Sequence, residues 1–352
     1  MYCCEKCFKD SLIKSEINRI GFTGSCSYCR SQNVKVFDIS EPSVISDRII
    51  NLVEAYEVSD DKKAKTLENA LVEDWDIFTG DVVSVRNLVE DLCGEVINEM
   101  YSLFHKPVIL PELYDKDFLN ENCIVKDKTW RGFSEHIKYH NRFHNDFFNV
   151  DAFASLISAM TKRYEKGAVF YRARFAGNKS GFNRTEMSVP PAGKRTAGRV
   201  NPEEIPVLYL SSDPKTGLYE IRSHIYDYVS IGKFVAKTPI TLIDLSAMDT
   251  LSPFQIENWI EMYAVNRLAI KEIANDIAKP LRRSDSTLEY LPTQYIVECV
   301  KSQGYNGVEY TSTIKTNGKN IALFDESFVE CISVQTVEVS DIDYSTKEVI
   351  TL

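Results

Sequence analysis

The chain has 352 residues, 44% hydrophobic and 26% charged, the balance of a globular protein and not of a disordered one. That length suggests two or three domains. A net charge of -10 gives no general attraction to nucleic acid or anionic membrane, and no apolar run approaches a membrane span.

Two Cys-x-x-Cys pairs, Cys4/Cys7 and Cys26/Cys29, stand near the N-terminus, separated by a short polar stretch with Gly21 and Gly24. This is zinc-ribbon spacing, in which two knuckles present four thiolates to one tetrahedral ion. Two disulfides or four buried thiols are the competing readings. The lack of a signal peptide points to a reducing cytoplasm and against disulfides. So short a segment cannot build its own core, so zinc would supply much of its folding energy. Four cysteines leave no open coordination position, which makes the expected zinc structural. Cys3 is a spare thiol beside the set. Cys93, Cys123, Cys299 and Cys331 sit in apolar contexts and read as core.

Next comes a mostly helical middle. Residues 44–56 place Ile45, Ile49, Ile50, Leu52 and Val53 at near-helical spacing. Residues 83–104 read as one helix with the stripe Leu88, Leu92, Val96, Met100 and Leu103, more naturally core than a partner groove. The stretch 107–128 reads as irregular, and 151–164 as an amphipathic helix leading straight into a strand.

The richest window is 188–224. A proline- and glycine-rich polar loop (190–201) precedes an apolar strand (207–210). Ser212-Asp213-Pro214 then reads as a helix start, with Asp213 as cap and Pro214 at the first helical position. The helix is expected to carry Glu220 and His224 four residues apart, on one face. A carboxylate on a rigid helix beside a cationic loop suits a phosphorylated, positively polarised substrate. Strands at 231–236 and 240–245, helices at 254–277 and 293–303, and strands at 307–312, 320–324 and 332–339 complete an α+β chain. The last helix is opened by Pro292 and closed by Gly304, and the tail beyond Asp341 reads as loose.

Five motifs stand in order. They are FYRARF (170–175), GRVN (198–201), VLYLSSDPKTGLYEIRSH (207–224), YNGVEYTST (305–313) and NIALF (320–324). Together they resemble the RES domain, a family named for an arginine, a glutamate and a serine, over about half the chain. One departure is Gly217, where the family usually has alanine. The resemblance implies a mixed sheet related to the ADP-ribosyltransferases and consumption of NAD as substrate by a toxin. It places Arg172, Tyr209, Glu220 and Ser312 as catalytic residues, with Arg199, Asn201, His224 and Asn320 as further substrate contacts. Glu220 would stabilise an oxocarbenium-like ribose or hold its hydroxyls. Arg172 would clamp pyrophosphate, Tyr209 would face the nicotinamide, and Ser312 would bond its ribose. Taken singly, Glu220 is an ordinary helix carboxylate, Tyr209 a core residue, Ser312 a strand-end hydroxyl and His224 a surface histidine. No dinucleotide fingerprint or P-loop is present, which argues against a dehydrogenase.

The expected organisation is a zinc knuckle (1–40), a helical domain (41–165), the RES domain (166–340) and a tail (341–352). The helical part resembles the HEPN/RES N-terminal domain, which raises a rival activity. HEPN ribonucleases use an arginine and a histidine at short spacing on one helix, and Arg131 and His136 fit that spacing. Gly132 stands where such nucleases place a polar residue, and the aromatic-rich segment around it reads better as packing. The expected reaction is hydrolysis of NAD to nicotinamide and ADP-ribose, with phosphorolysis, transfer of ADP-ribose to a protein, and a module that only binds a nucleotide as the alternatives. The expected protein is a cytoplasmic homo-oligomer, with an antitoxin or trigger protein as partner and no membrane or nucleic-acid role.

Overall fold

The computed structural model describes residues 1–126, 129–255, 260–279 and 286–342. The chain divides into two compact units, one of Met1–Thr129, Asp146–Ala152 and Asp249–Lys271, the other of Trp130–Asn145, Phe153–Met248 and Glu272–Leu352.

In the first unit, β1 (Tyr2–Cys4), β2 (Phe22–Gly24) and β3 (Val34–Asp38) form an antiparallel sheet in the order β1-β3-β2. Helix α1 (Ser11–Ile20) is capped by Asp10, whose carboxylate accepts the Ile13 N–H at 2.8 Å, and it buries Ile13 and Ile17. Helices α2 (Val44–Glu54), α3 (Leu67–Trp75) and α4 (Val82–Cys93) pack on one another, with Ile45, Ile49, Leu52, Leu71, Trp75 and Leu88 buried. Strand β4 (Glu57–Val58) pairs with β5 (Val108–Ile109), and the short helices α5 (Tyr101–His105) and α6 (Lys116–Asn122) complete the set.

The single helix expected over 83–104 is broken. Gly94 takes φ 52° at the end of α4, and a 3-10 turn, Gly94–Asn98, intervenes before α5. Glycine enters that left-handed region without a Cβ penalty. The apolar spacing continues across the break, so periodicity alone could not see it.

Helices α7 (Trp130–Tyr139) and α8 (Val150–Ser158) follow. The helix expected over 151–164 stops at Ser158, where the Thr161 hydroxyl takes the Ser158 carbonyl at 2.9 Å. Residues 161–164 instead form β6 (Thr161–Tyr164), antiparallel to the later strand Ile240–Asp244. Threonine, arginine and tyrosine in that run suit a half-buried edge strand.

The second unit is built on a mixed sheet of eight strands. With β6 these are β7 (Val169–Phe175), β8 (Leu208–Ser211), β9 (Tyr228–Ala236), β10 (Ile240–Asp244), β11 (Gly307–Thr311), β12 (Lys319–Leu323) and β13 (Val329–Glu338). Their order is β13-β9-β7-β8-β12-β11-β10-β6, antiparallel throughout except between β10 and β11. Side chains alternate between faces with period two. One face buries Phe170, Leu208, Leu210, Phe234, Ile321 and Leu323 in a common core. The other carries Tyr171, Ala173, Tyr209, Ser211, Tyr310 and Asn320, as the pairs Tyr171–Ser211, Ser211–Asn320 and Tyr310–Asn320 require.

Helices α9 (Pro214–Glu220), α10 (Ile260–Ala278) and α11 (Leu291–Ser302) follow the chain order. Residues 256–259, within the helix expected over 254–277, and most of the expected tail lie outside the described residues. Among the described residues, no helix is long and apolar enough to cross a membrane.

Candidate functional site

The start of α9 forms as its sequence dictates. Asp213 accepts the Thr216 N–H at 2.9 Å and its hydroxyl at 2.6 Å, and Pro214 fills the first turn. Burial works to raise the Asp213 carboxyl, but the hydrogen bonds from Thr216 outweigh it and hold it below its ordinary value.

The far end of the helix departs from expectation. Arg222 adopts φ 52°, its N–H bonds the Tyr219 carbonyl at 2.9 Å, and the Ser223 N–H bonds the Leu218 carbonyl at 3.3 Å. This is a Schellman closure built on arginine in place of glycine. The helix therefore ends at Glu220, and His224 lies beyond it, exposed, with its N–H on Asp227 at 2.6 Å. The expectation that Glu220 and His224 share a helical face is corrected.

Gly217 lies close against the sheet. A Cβ there would stand 3.1 Å from Ser211 Oγ and 3.3 Å from the Ala173 Cβ. Close packing brings Glu220 over the polar face of β8 and β12. Glu220 sits at the C-terminal end of its helix, where the dipole disfavours an anion. Two donors offset this. Ser312 Oγ donates to Glu220 Oε1 at 2.6 Å and Asn320 Nδ2 donates to the same oxygen at 2.7 Å. Ser312 is in turn fixed by the N–H groups of Ile314 and Lys315, at 3.2 and 3.0 Å. Both bonds to Glu220 end on Oε1, so Oε2 has no hydrogen-bond partner among the described residues.

Beside this carboxylate is a cleft of about 220 Å³ lined by Tyr171, Arg172, Tyr209, Ser211, Glu220, Tyr310 and Asn320, among others. Its volume is below the ~300–1,000 Å³ of sites that enclose a drug-sized ligand, so it suits one end of a larger molecule. Strands β7 and β8 are joined only at the pair Tyr171–Ser211. Arg172 and Leu210, next to that pair, belong by alternation to the apolar face, yet both line the cleft where the strands part. Burial pushes the Arg172 guanidinium down to about 10, helped by the nearby charge of Arg174, and its buried Nη1 has no hydrogen-bond partner. A buried, unpaired cationic donor is costly unless an anion completes it. Arg174 is occupied elsewhere, on the Glu186 carbonyl and over the Phe182 ring, with its guanidinium carbon 4.4 Å from the ring centroid.

Burial pushes the Tyr209 phenol up, and its hydroxyl donates to Asn201 Oδ1 at 2.5 Å. Tyr310, missed in the sequence reading, is buried beside it and likewise raised. Its signal was its place two residues before Ser312, on one face of a strand and its exit. Thus Arg172, Tyr209, Glu220 and Asn320 line one cleft, and Ser312 reaches it through Glu220. Asn201 is not among the lining residues and meets the cleft through its hydrogen bond to Tyr209. Arg199 instead donates to the carbonyls of Ile277 and Lys279, and His224 is not among the lining residues.

Arg131 and His136 lie on α7, five residues apart and so about 140° around the helix. Arg131 is exposed and pairs with Glu135 at 3.4 Å, while His136 stacks on His140 with ring centroids 5.7 Å apart.

In the first unit, Cys4, Cys7, Cys26 and Cys29 bring their sulfurs within 4.8 Å of one another, and all are free thiols. The Sγ separations are 3.4 Å for Cys4–Cys29 and 3.5 Å for Cys7–Cys26. A tetrahedron with Zn–S near 2.3 Å has edges of about 3.8 Å, so the set fits that ion. Hydrogen bonding among the thiols pushes Cys3 and Cys7 up and Cys26 down, while burial pushes Cys4 up. Four sulfurs this close cannot all be thiolates without a cation among them.

The RES domain family model matches residues 169–345 of this chain, the part that contains the whole cleft. No curated protein matches the chain. Among solved structures it is similar to a chain in the crystal structure of the M. tuberculosis MbcT-MbcA toxin-antitoxin complex, at 12% identity and a TM-score of 0.31, covering 53% of this chain and 92% of that one. With half of its length matched by the family model, the chain belongs to the RES domain family.

Proposed function

We propose that the cleft cleaves the bond between nicotinamide and ribose in NAD. The observation that carries this reading is the Glu220 carboxylate, held through Oε1 by Ser312 and Asn320, in a cleft that is also lined by Arg172, whose buried Nη1 has no hydrogen-bond partner. As the N-glycosidic bond breaks, positive charge grows on the ribose and nicotinamide leaves as a neutral amide. A fixed carboxylate stabilises that charge more in the transition state than in the substrate. Arg172 takes a pyrophosphate oxygen, which satisfies its Nη1 and removes the cost of an unpaired buried cation. The Tyr209 and Tyr310 rings bound the nicotinamide end. Water then adds to C1″, the anomeric carbon that nicotinamide leaves, giving ADP-ribose, nicotinamide and a proton. Phosphate or a protein side chain as acceptor would use the same carboxylate.

The four clustered cysteines hold a structural zinc with no open position, so it takes no part in this step. As a member of a family rich in toxins, the protein acts by depleting cellular NAD, with an antitoxin as its restraint. Incubating NAD with purified protein, with and without phosphate, tests the reaction. ADP-ribose as product supports hydrolysis, its 1″-phosphate supports phosphorolysis, and intact NAD with intact, folded protein refutes the reading.

A further inference from the structure

The Tyr209 hydroxyl makes its hydrogen bond to Asn201 Oδ1, so whatever orients Asn201 orients the ring. Asn201 is buried, and its Nδ2 faces three carbonyls, those of Thr196, Pro202 and Ile205, at 3.1, 2.9 and 3.3 Å. Those acceptors fix which way the amide points. Nδ2 must face them, so Oδ1 must face Tyr209.

The turn that carries Asn201 is held in its own right. The Gly198 N–H donates to the Asn201 carbonyl at 2.9 Å. From α11, the buried Gln294 donates through Nε2 to the Gly198 carbonyl at 2.7 Å and to the Asn201 carbonyl at 2.9 Å. Its neighbour Thr293 donates to the Arg199 carbonyl at 2.8 Å. Two adjacent side chains of one helix thus hold three carbonyls of a four-residue turn. Gly198 leaves no slack, because a Cβ there would overlap the Tyr209 hydroxyl and stand 2.7 Å from Asn201 Oδ1.

We propose that Gln294 is a positioning residue that sets the orientation of Tyr209 through the Gly198–Asn201 turn. The inference rests on the reading of the cleft as the NAD site. A buried amide that donates twice to one turn acts as a clamp, and an apolar residue of the same size would fill the space without fixing the turn. Gln294 is not among the residues that line the cleft, so it acts on Tyr209 through the turn.

The test combines Gln294→Leu, which keeps the shape and removes the donors, with Tyr209→Phe. Gln294→Leu is expected to lower kcat for NAD about tenfold with KM changed less than about threefold, one hydrogen bond's worth of orientation. In the Tyr209→Phe background it is expected to cause no further loss, because its effect runs through that hydroxyl. Equal, additive losses in both backgrounds overturn the proposal and make Gln294 packing only. A readout independent of activity uses 3-fluorotyrosine labelling, with the Tyr209 signal assigned from Tyr209→Phe. That signal is expected to shift in Gln294→Leu while the others hold, and an unmoved signal overturns the proposal. If Gln294→Leu does not fold, Gln294→Met serves in its place. A wild type that leaves NAD intact defeats the NAD reading alone, and the fluorine signal still decides the role of Gln294.

Discussion

Replacing Cys26 by serine probes the cysteine cluster with the least change in volume. The sulfurs of Cys7 and Cys26 are 3.5 Å apart, and the substitution removes one of the four thiols that would ligate a shared ion. Structural zinc contributes about 10–16 kcal/mol in small metal-folded domains, against about 5–15 kcal/mol for the net stability of a whole domain. Besides the cysteines, the buried apolar residues of segment 1–40 are few: Phe8, Ile13, Ile17, Val34, Val36, Phe37 and Ile39. They cannot replace a term of that size. Purified wild type is expected to carry about one zinc per chain by elemental analysis, and Cys26→Ser less than about a tenth of that. Limited proteolysis is expected to open residues 1–40 in Cys26→Ser and in chelator-treated wild type. Cys3→Ser is expected to keep both zinc and protection, since Cys3 is not among the four clustered ligands. Wild type with no zinc and a protease-resistant knuckle would refute the reasoning, as would Cys26→Ser with full zinc content.

Two further outcomes follow from the second unit. The Asp213 carboxyl is held below its ordinary value, so its cap stabilises the fold above the usual carboxylate range and is lost as pH falls through its lowered folded pKa. Asp213→Ala is expected to lower stability by about 1 kcal/mol at neutral pH, and Asp213→Asn to keep most of the cap while flattening the acid limb of a urea-unfolding series. Glu309 is fully buried, with Lys162 Nζ at 2.8 Å and the Tyr164 hydroxyl at 2.5 Å. Lys162→Met leaves that carboxylate without its cation and is expected to cost about 3 kcal/mol in urea unfolding. Glu309→Gln is expected to cost less, because the partly exposed lysine returns to water.

Much of this architecture was legible in the residues. Asp213 and Pro214 announced the start of α9, and the order of the five motifs placed Arg172, Tyr209, Glu220 and Asn320 on elements that share a cleft. The misses have local causes. Arginine at 222 takes the left-handed conformation that glycine would have advertised, so the helix end, and with it the place of His224, was hidden. Residues 161–164 are strand because β10 offers an edge, a tertiary fact that local propensity cannot contain. Arg172 lines the cleft although strand alternation assigns it to the apolar face, and it does so next to the one pair that joins β7 and β8, which no pattern in either strand foretells. Gln294 carried no signal at all. Its two hydrogen bonds go to carbonyls almost a hundred residues away.

In the proposed reaction the free oxygen of Glu220 faces the developing charge. Glu220→Gln keeps an acceptor for Ser312 and Asn320 and removes the charge. At about 4 Å and an effective dielectric near 20, that charge is worth about 4 kcal/mol to a developing cation. Nicotinamide release from NAD, measured on wild type beside Glu220→Gln of equal thermal stability, is therefore expected to fall about a thousandfold. Release at the wild-type rate by Glu220→Gln would contradict the account.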